Sequence, residues 1–210
     1  MPIKIFGAIA KLAGLSLRKI KHLLSLLGIE ASHEAIRKWV KKLYSVLDGL
    51  DYERDVHREI AIDETKLKIN GKHVFIWSAV DPRTKENLGI AVTKTRNAED
   101  AYNFLRKVLK SCINMPIILV DHAPWYLPAL NYLDLKYRQI TFGSRNSIER
   151  FFRTMKETTK AFYNNFPYRN ISVGIKEVEK FLELFVFWYN CIREHMSLNK
   201  TPMEARKVLS

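Results

Sequence analysis

Ile117-Ile118-Leu119-Val120 is an unbroken apolar run that stops on a carboxylate, Asp121. Four consecutive apolar residues leave no polar face, so the segment reads as a strand buried on both sides, with helices above and below its sheet. Three further strand-like segments precede it, at 59–68, 73–80 and 87–94. Asn70-Gly71 is a hairpin turn signal between the first two, and Asp81-Pro82 begins the turn between the second and third. The pattern predicts a three-strand antiparallel meander, a helix over 98–111, the buried strand 117–120, a helix over 125–133 and a strand over 136–142. From Asn146 onward the chain reads as wholly helical. The fold class is α/β, with one sheet and helices on both of its faces.

Ahead of this sheet lies a strongly basic segment. The first 45 residues carry nine Lys or Arg against Glu30 and Glu34, a local excess of seven in a chain of net charge +13. Ser16 can cap a helix whose apolar face is Leu17, Ile20, Leu23, Leu24 and Leu27, with Gly28 as its stop. Ser32 caps a second helix, 33–45, with Ile36, Val40 and Leu43 as its buried stripe. Two short helices on either side of Gly28-Ile29-Glu30-Ala31 have helix-turn-helix proportions. Arg37, Lys38, Lys41 and Lys42 make the second a candidate groove-facing helix; the alternative is a helical hairpin with a solvated basic face. The acidic stretch around 48–58 changes charge sign and reads as a linker. Boundaries of 1–47 for the basic helices, 48–58 for the linker and 59–210 for the α/β unit with its C-terminal helices follow.

The balance of 35 Lys and Arg against 22 Asp and Glu points to a polyanionic partner. Cys112 and Cys191 have no CxxC or Cys/His spacing around them, which argues against a disulfide framework or a zinc finger and suits a reducing cytoplasm. The apolar hexad Ile5 to Ala10 is interrupted by Lys11 and lacks a cleavage site, so no signal peptide is expected. No apolar run approaches the roughly 20 residues of a membrane span. A soluble, cytoplasmic protein with no membrane partner is the expectation.

Three acids stand out. Asp63 lies among Ile60, Ala61 and Ile62, a costly place for a lone ionised carboxylate, so it needs a partner: a structural ion pair or a metal. Asp121 ends the buried strand, where open α/β sheets bind ligands, although a turn or cap is an equally ordinary role there. Glu149 begins a helix on which Glu149, Arg153, Lys156 and Lys160 share one face, apart from the apolar arc of Ile148, Phe151, Phe152 and Met155. That face reads either as a solvated surface with a Glu149–Arg153 pair or as a metal ligand followed by phosphate-binding cations.

The order of the three resembles the ribonuclease H-like fold of DDE transposases and retroviral integrases. Within that group the chain is similar to insertion-sequence transposases related to the insertion sequence 6 family, especially archaeal members. The resemblance is carried by Ala61-Ile62-Asp63-Glu64-Thr65, by Leu119-Val120-Asp121-His122-Ala123-Pro124-Trp125-Tyr126 and by Thr141 to Phe152 with Lys156 seven residues after Glu149. Tyr189-Asn190, Arg193, His195 and Thr201-Pro202-Met203-Glu204-Ala205 look like the ending of many integrase-type transposases. Two features depart from the family: only 27 residues separate Asp121 from Glu149, and His122 stands where a small or basic residue is expected.

The resemblance implies a retroviral integrase-like catalytic core with an N-terminal helix-turn-helix and a C-terminal helical segment. It implies that Asp63, Asp121 and Glu149 are catalytic and hold two Mg²⁺ or Mn²⁺ ions, with no small-molecule cofactor. The implied activity is 3′-end cleavage and strand transfer at element ends, on DNA, by a homodimer or higher oligomer. A non-catalytic DNA-binding regulator and a ribonuclease H-like nuclease are the competing readings. His195 reads first as a packing residue, and Phe181, Phe185, Trp188 and Tyr189 as core or interface. Thr201-Pro202-Met203-Glu204 reads as a capping box. Trp125 and Tyr126 could either pack or stack on an unpaired base.

Overall fold

A computed structural model describes residues 2–47, 53–140, 146–160, 165–166 and 168–209. Three helices come first, α1 (Pro2–Leu12), α2 (Leu17–Leu26) and α3 (His33–Leu47). The sheet follows, with β1 (Glu59–Ile69), β2 (Lys72–Val80), β3 (Asn87–Thr93), α4 (Ala98–Leu109), β4 (Ile117–Val120), α5 (Tyr126–Tyr132) and β5 (Tyr137–Gln139). The chain ends with α6 (Asn146–Thr159), β6 (Asn165–Phe166), α7 (Ile171–Cys191) and α8 (Pro202–Leu209). The strand order is β3-β2-β1-β4-β5, with β6 pairing beside β1.

The expected meander is present. Asn70 and Gly71 both take positive φ, as a two-residue hairpin between right-twisted strands requires. β1 and β2 then pair antiparallel from Ala61 beside Val80 to Ile69 beside Lys72. β4 enters parallel to β1, Ala61 beside Leu119, and β5 lies parallel to β4. Alternation along the strands divides the sheet residues between two layers. Ala61, Leu67, Ile76 and Leu119 face Ile148, Phe151 and Met155 of α6 and Leu182 and Phe185 of α7. Ile60, Ile62, Trp77, Ile118 and Val120 face Phe104 and Leu105 of α4 and Leu130 of α5. The buried strand read from four apolar residues is therefore covered on both sides.

Several expectations change. The segment after Asn146 is not wholly helical: Asn165–Phe166 pairs parallel with Lys68–Ile69, extending the sheet beside β1. The strand placed at 136–142 is confined to Tyr137–Gln139, and its residues 141 and 142 lie outside the described residues. Leu23 and Leu27, expected on the buried face of α2, are 37% and 64% exposed. Gly28 stops the helix as expected, taking φ of 70° while Gly28 N–H donates to Ser25 and Ile29 N–H to Leu24. Ile20 and Leu24 alone from α2 are fully buried, each stabilising by roughly 1.5–3 kcal/mol.

The apolar N-terminal hexad belongs to a helix of its own. α1 packs on α2 and α3, and at Gly7 an added Cβ would come within 2.9 Å of the Trp39 ring. The three helices share a small core of Ala10, Ile20, Leu24, Ala31 and Ile36. They also touch the rest of the protein: Tyr44 donates to Glu183 at 3.2 Å, and Lys41 lies 3.6 Å from Glu177 on α7. Within the expected linker, residues 48–52 lie outside the described residues. Beyond them Asp55 forms a β-bridge with Cys112, and His57 is buried against Asp81 at 2.9 Å. The capping box forms at α8, where Thr201 and Glu204 exchange bonds. Among the described residues, no helix is long and apolar enough to cross a membrane.

Candidate active site

Asp63 and Asp121 are brought together by strand register. Ala61 lies beside Leu119 in the parallel β1–β4 pair, so two residues further along Asp63 comes beside Asp121, at a strand spacing of roughly 4.8 Å. Both follow the alternation of Ala61 and Leu119, which sets them on the layer covered by α6 and α7. Each is half-buried, and each fixes one oxygen on the backbone. Asp63 Oδ1 accepts Glu64 N–H at 2.8 Å, and Asp121 Oδ1 accepts Ala123 N–H at 2.9 Å, the turn that starts the loop into α5.

Next to this pair is a buried arrangement that no sequence pattern had paired. Glu64 points to the opposite layer from Asp63, and its side chain is 4% exposed. It accepts from Tyr126 Oη at 2.5 Å and from Arg96 Nη1 at 3.0 Å. Burial drives the Tyr126 hydroxyl well above its ordinary range, and the charges of Glu64, Asp63 and Asp121 push the same way. Tyr126 is therefore a proton donor throughout the physiological range, held among three acids. Arg96 is sandwiched between aromatic rings, 4.1 Å from the Trp125 centroid and 5.1 Å from that of Phe75. Trp125 and Tyr126 thus pack, the plainer of their two expected roles. The period-2 alternation of Asp63-Glu64 was the available signal, since two adjacent acids in a strand must face opposite layers.

Glu149 stands in the first turn of α6, above the layer that holds Asp63 and Asp121, and is exposed. No ion pair joins it to Arg153. Among the described residues, no three His, Cys, Asp or Glu side chains are close enough together to enclose a metal ion. The structure thus brings Asp63 and Asp121 into one site, and among the described residues Glu149 does not complete a three-acid cluster with them. The donors suit a hard divalent cation, since two adjacent, partly exposed carboxylates offer oxygen ligands.

The expected DNA-binding residues fall in two places. Arg153 and Lys160 are exposed and Lys156 half-buried, along α6 and just past its end. On α3, Arg37, Lys38, Lys41 and Lys42 are exposed, with Arg37 3.4 Å from Glu34. Lys41 reaches toward Glu177 of α7 at 3.6 Å across the surface. His122 is exposed in the loop after Asp121. A cavity of about 330 Å³ bordered by Tyr44, Asn87, Lys107, Glu183 and Arg206 contains none of the three acids.

This fold is that of a DDE domain of the ribonuclease H-like class. A DDE domain family model, of the IS240 transposase type, matches residues 57–184, and the chain belongs to that family. It is 40% identical over 191 residues to an uncharacterised protein of Methanocaldococcus jannaschii, covering 91% of this chain and 86% of that one. It is 28% identical over 112 residues to the transposase for the insertion sequence-like element IS431mec of Staphylococcus aureus. That match covers 52% of this chain and 50% of the transposase, so the chain spans about half of that relative's length. Among solved structures, the catalytic core of HTLV-2 integrase in complex with magnesium superposes with a TM-score of 0.55 at 10% identity, over 74% of this chain and 99% of that one. The integrase-like fold expected from the order of the acids is the fold the chain adopts.

Proposed function

We propose that the protein is an insertion-sequence transposase that cleaves DNA at element ends and joins the resulting 3′-hydroxyls to target DNA. The observation that carries this reading is the placement of Asp63, within β1, beside Asp121, just past the end of the adjacent parallel strand β4, on the layer covered by α6. In this reading Asp63, Asp121 and Glu149 hold two Mg²⁺ or Mn²⁺ ions. Such ions, when bound, lower the pKa of the attacking water or 3′-hydroxyl and stabilise the leaving oxygen. Family membership supports the assignment, as does the magnesium of the HTLV-2 integrase core.

The chain's own residues supply position and charge. The backbone bonds to one oxygen of Asp63 and one of Asp121 fix both carboxylates before DNA arrives, so little reorganisation is needed at the reacting phosphate. Glu149, in the first turn of α6, would supply the third carboxylate of the ligand set. Arg153, Lys156 and Lys160 follow it along the helix and neutralise backbone phosphates, which positions DNA without reading its sequence. The three N-terminal helices, residues 1–47, form the DNA-binding unit, with Arg37, Lys38 and Lys42 on the solvent side of α3. Two element ends must meet, so the acting form is a homodimer or larger.

Incubation with Mg²⁺ and DNA carrying the element ends tests the reading. Joined products are expected from the parent chain, and none from Asp63→Asn, Asp121→Asn or Glu149→Gln. Cleavage without joining would make the protein a nuclease, and binding without either would make it a regulator. Undiminished joining by Asp63→Asn would remove the carboxylate assignment.

A further inference from the structure

Three cations converge at one corner of the molecule, outside the carboxylate pair. The C-terminal end of α7 is pinned to the β2–β3 turn by reciprocal amide bonds: Asn190 Nδ2 donates to Asn87 O at 2.8 Å, and Asn87 N–H donates to Asn190 Oδ1 at 2.9 Å. The same end is pinned to α6 by the edge-on contact of Tyr189 with Phe151, at 4.9 Å between centroids. These two fastenings bring Lys85 of the turn, Arg150 of α6 and Arg193 beyond α7 to one corner. Lys85 is held in a left-handed conformation, φ 63°, within the tight turn.

Ring and imidazole contacts orient Arg193 at the corner. Arg193 Nη1 donates to His195 Nε2 at 2.9 Å, and its guanidinium lies 5.5 Å from the Tyr189 centroid. His195 packs edge-on against the same ring at 4.7 Å. Burial first, then the charges of Arg193 and Lys85, lower the His195 pKa to about 4, so the ring is a neutral acceptor that orients Arg193. Lys85 is lowered first by burial and then by Arg150, with Asp81 acting the other way. Asp81 is itself buried, bonded to His57 and to the N–H groups of Arg83 and Thr84. Among the described residues, no carboxylate forms an ion pair with Lys85, Arg150 or Arg193. Exposed Glu149 and Glu194 are the chain neighbours of Arg150 and Arg193. Three cations held together against mutual repulsion, with no acid paired to them, call for an anion from outside the chain.

The place of the corner identifies that anion. Ser78 lies opposite Asp63 in the β1–β2 pair, and the turn carrying Lys85 begins at Asp81, three residues along. At about 3.3 Å per residue the corner is about 10 Å along the sheet from the level of Asp63, within reach of the same stretch of DNA backbone. α6 joins the two places, since Arg150 follows Glu149 directly. We propose that Lys85, Arg150 and Arg193 form a backbone-phosphate subsite that grips DNA beside the phosphodiester held at Asp63 and Asp121. The identity of the ligand rests on the transposase reading.

The test measures duplex DNA binding by fluorescence anisotropy, in EDTA, across a salt series. Lys85→Asn tolerates the left-handed backbone and Arg150→Gln changes an exposed side chain, so the double variant should keep its fold. Loss of two phosphate contacts lowers the slope of log K against log salt by about 1.8 and weakens binding by about 60-fold at 0.1 M salt. The charge-matched double variant Lys110→Gln/Lys207→Gln is expected to leave the slope within about 0.5 of the parent's. Unchanged slope in the first variant, or an equal fall in the second, overturns the subsite. If Lys85→Asn unfolds the chain, Arg150→Gln alone decides the matter with an expected slope change of about 0.9. Strand joining is not read here. A subsite failure therefore leaves the carboxylate reading intact, and joining by Asp63→Asn would leave the DNA contact intact.

Discussion

Tyr126→Phe removes one oxygen atom and isolates the energetics of the acid buried beside the candidate site. The Tyr126 hydroxyl donates to Glu64 Oε2 at 2.5 Å, while Arg96 holds Oε1 at 3.0 Å. Phenylalanine keeps the ring and its edge contact with Trp77, 5.9 Å between centroids. It leaves one oxygen of a carboxylate that is 4% exposed without its donor. A hydrogen bond to a charged group contributes about 1.5–3 kcal/mol, and stranding the acceptor away from water keeps the loss near the upper end, about 2–3 kcal/mol. Arg96 is 34% exposed, so its ion pair with Glu64 offsets little of this. The loss is read as a lower urea midpoint at unchanged m-value. In a Glu64→Ala background the hydroxyl has no charged partner, and Tyr126→Phe should then be nearly neutral, giving a coupling of at least about 1.5 kcal/mol. Additivity of the two substitutions within about 0.5 kcal/mol would refute the argument.

Glu86 gives a pH dependence of definite sign. Burial raises its carboxyl from 4.5 to about 7, with Arg206 pulling the other way. The folded chain therefore holds a proton that the unfolded chain has released between those values, and stability falls as pH rises through that window. Glu86→Gln stays uncharged, so urea unfolding should show its stability relative to the parent improving by up to about 3 kcal/mol from pH 4.5 to 8. Gly174→Ala places a Cβ 2.7 Å from Ile69 Cγ2 and 2.9 Å from Tyr168 Cβ, and should lower stability by about 1–3 kcal/mol in thermal unfolding. Asn190→Ala breaks both amide bonds to Asn87, with an expected loss of about 2 kcal/mol. Hydrogen exchange should show faster exchange of the Asn87 N–H in that variant.

The strands and most of the helices were legible because their signals are local. Asn70-Gly71 specifies a hairpin whatever lies around it, and Ile117 to Val120 has no polar side to expose. Asp63 and Asp121 were legible as candidates, since each breaks an apolar pattern at a place where an acid needs a reason. The helix α1 was not legible as a packing element, because Gly7 counts against a helix by propensity and becomes useful only when Trp39 closes on it. Leu23 and Leu27 misled for the converse reason: helical period alone does not say where neighbouring helices end.

The amino-acid sequence by itself determined the α/β class, the order of the three acids and the excess of positive charge, all of which follow from short-range pattern and composition. Only the tertiary structure decided which charges share a space. Register placed Asp63 beside Asp121, alternation sent Glu64 to Tyr126 and Arg96, and the Asn87–Asn190 bonds drew Lys85 toward Arg193. Those partners are separated by tens of residues in the chain, and Coulomb forces and hydrogen bonds act on distance in space.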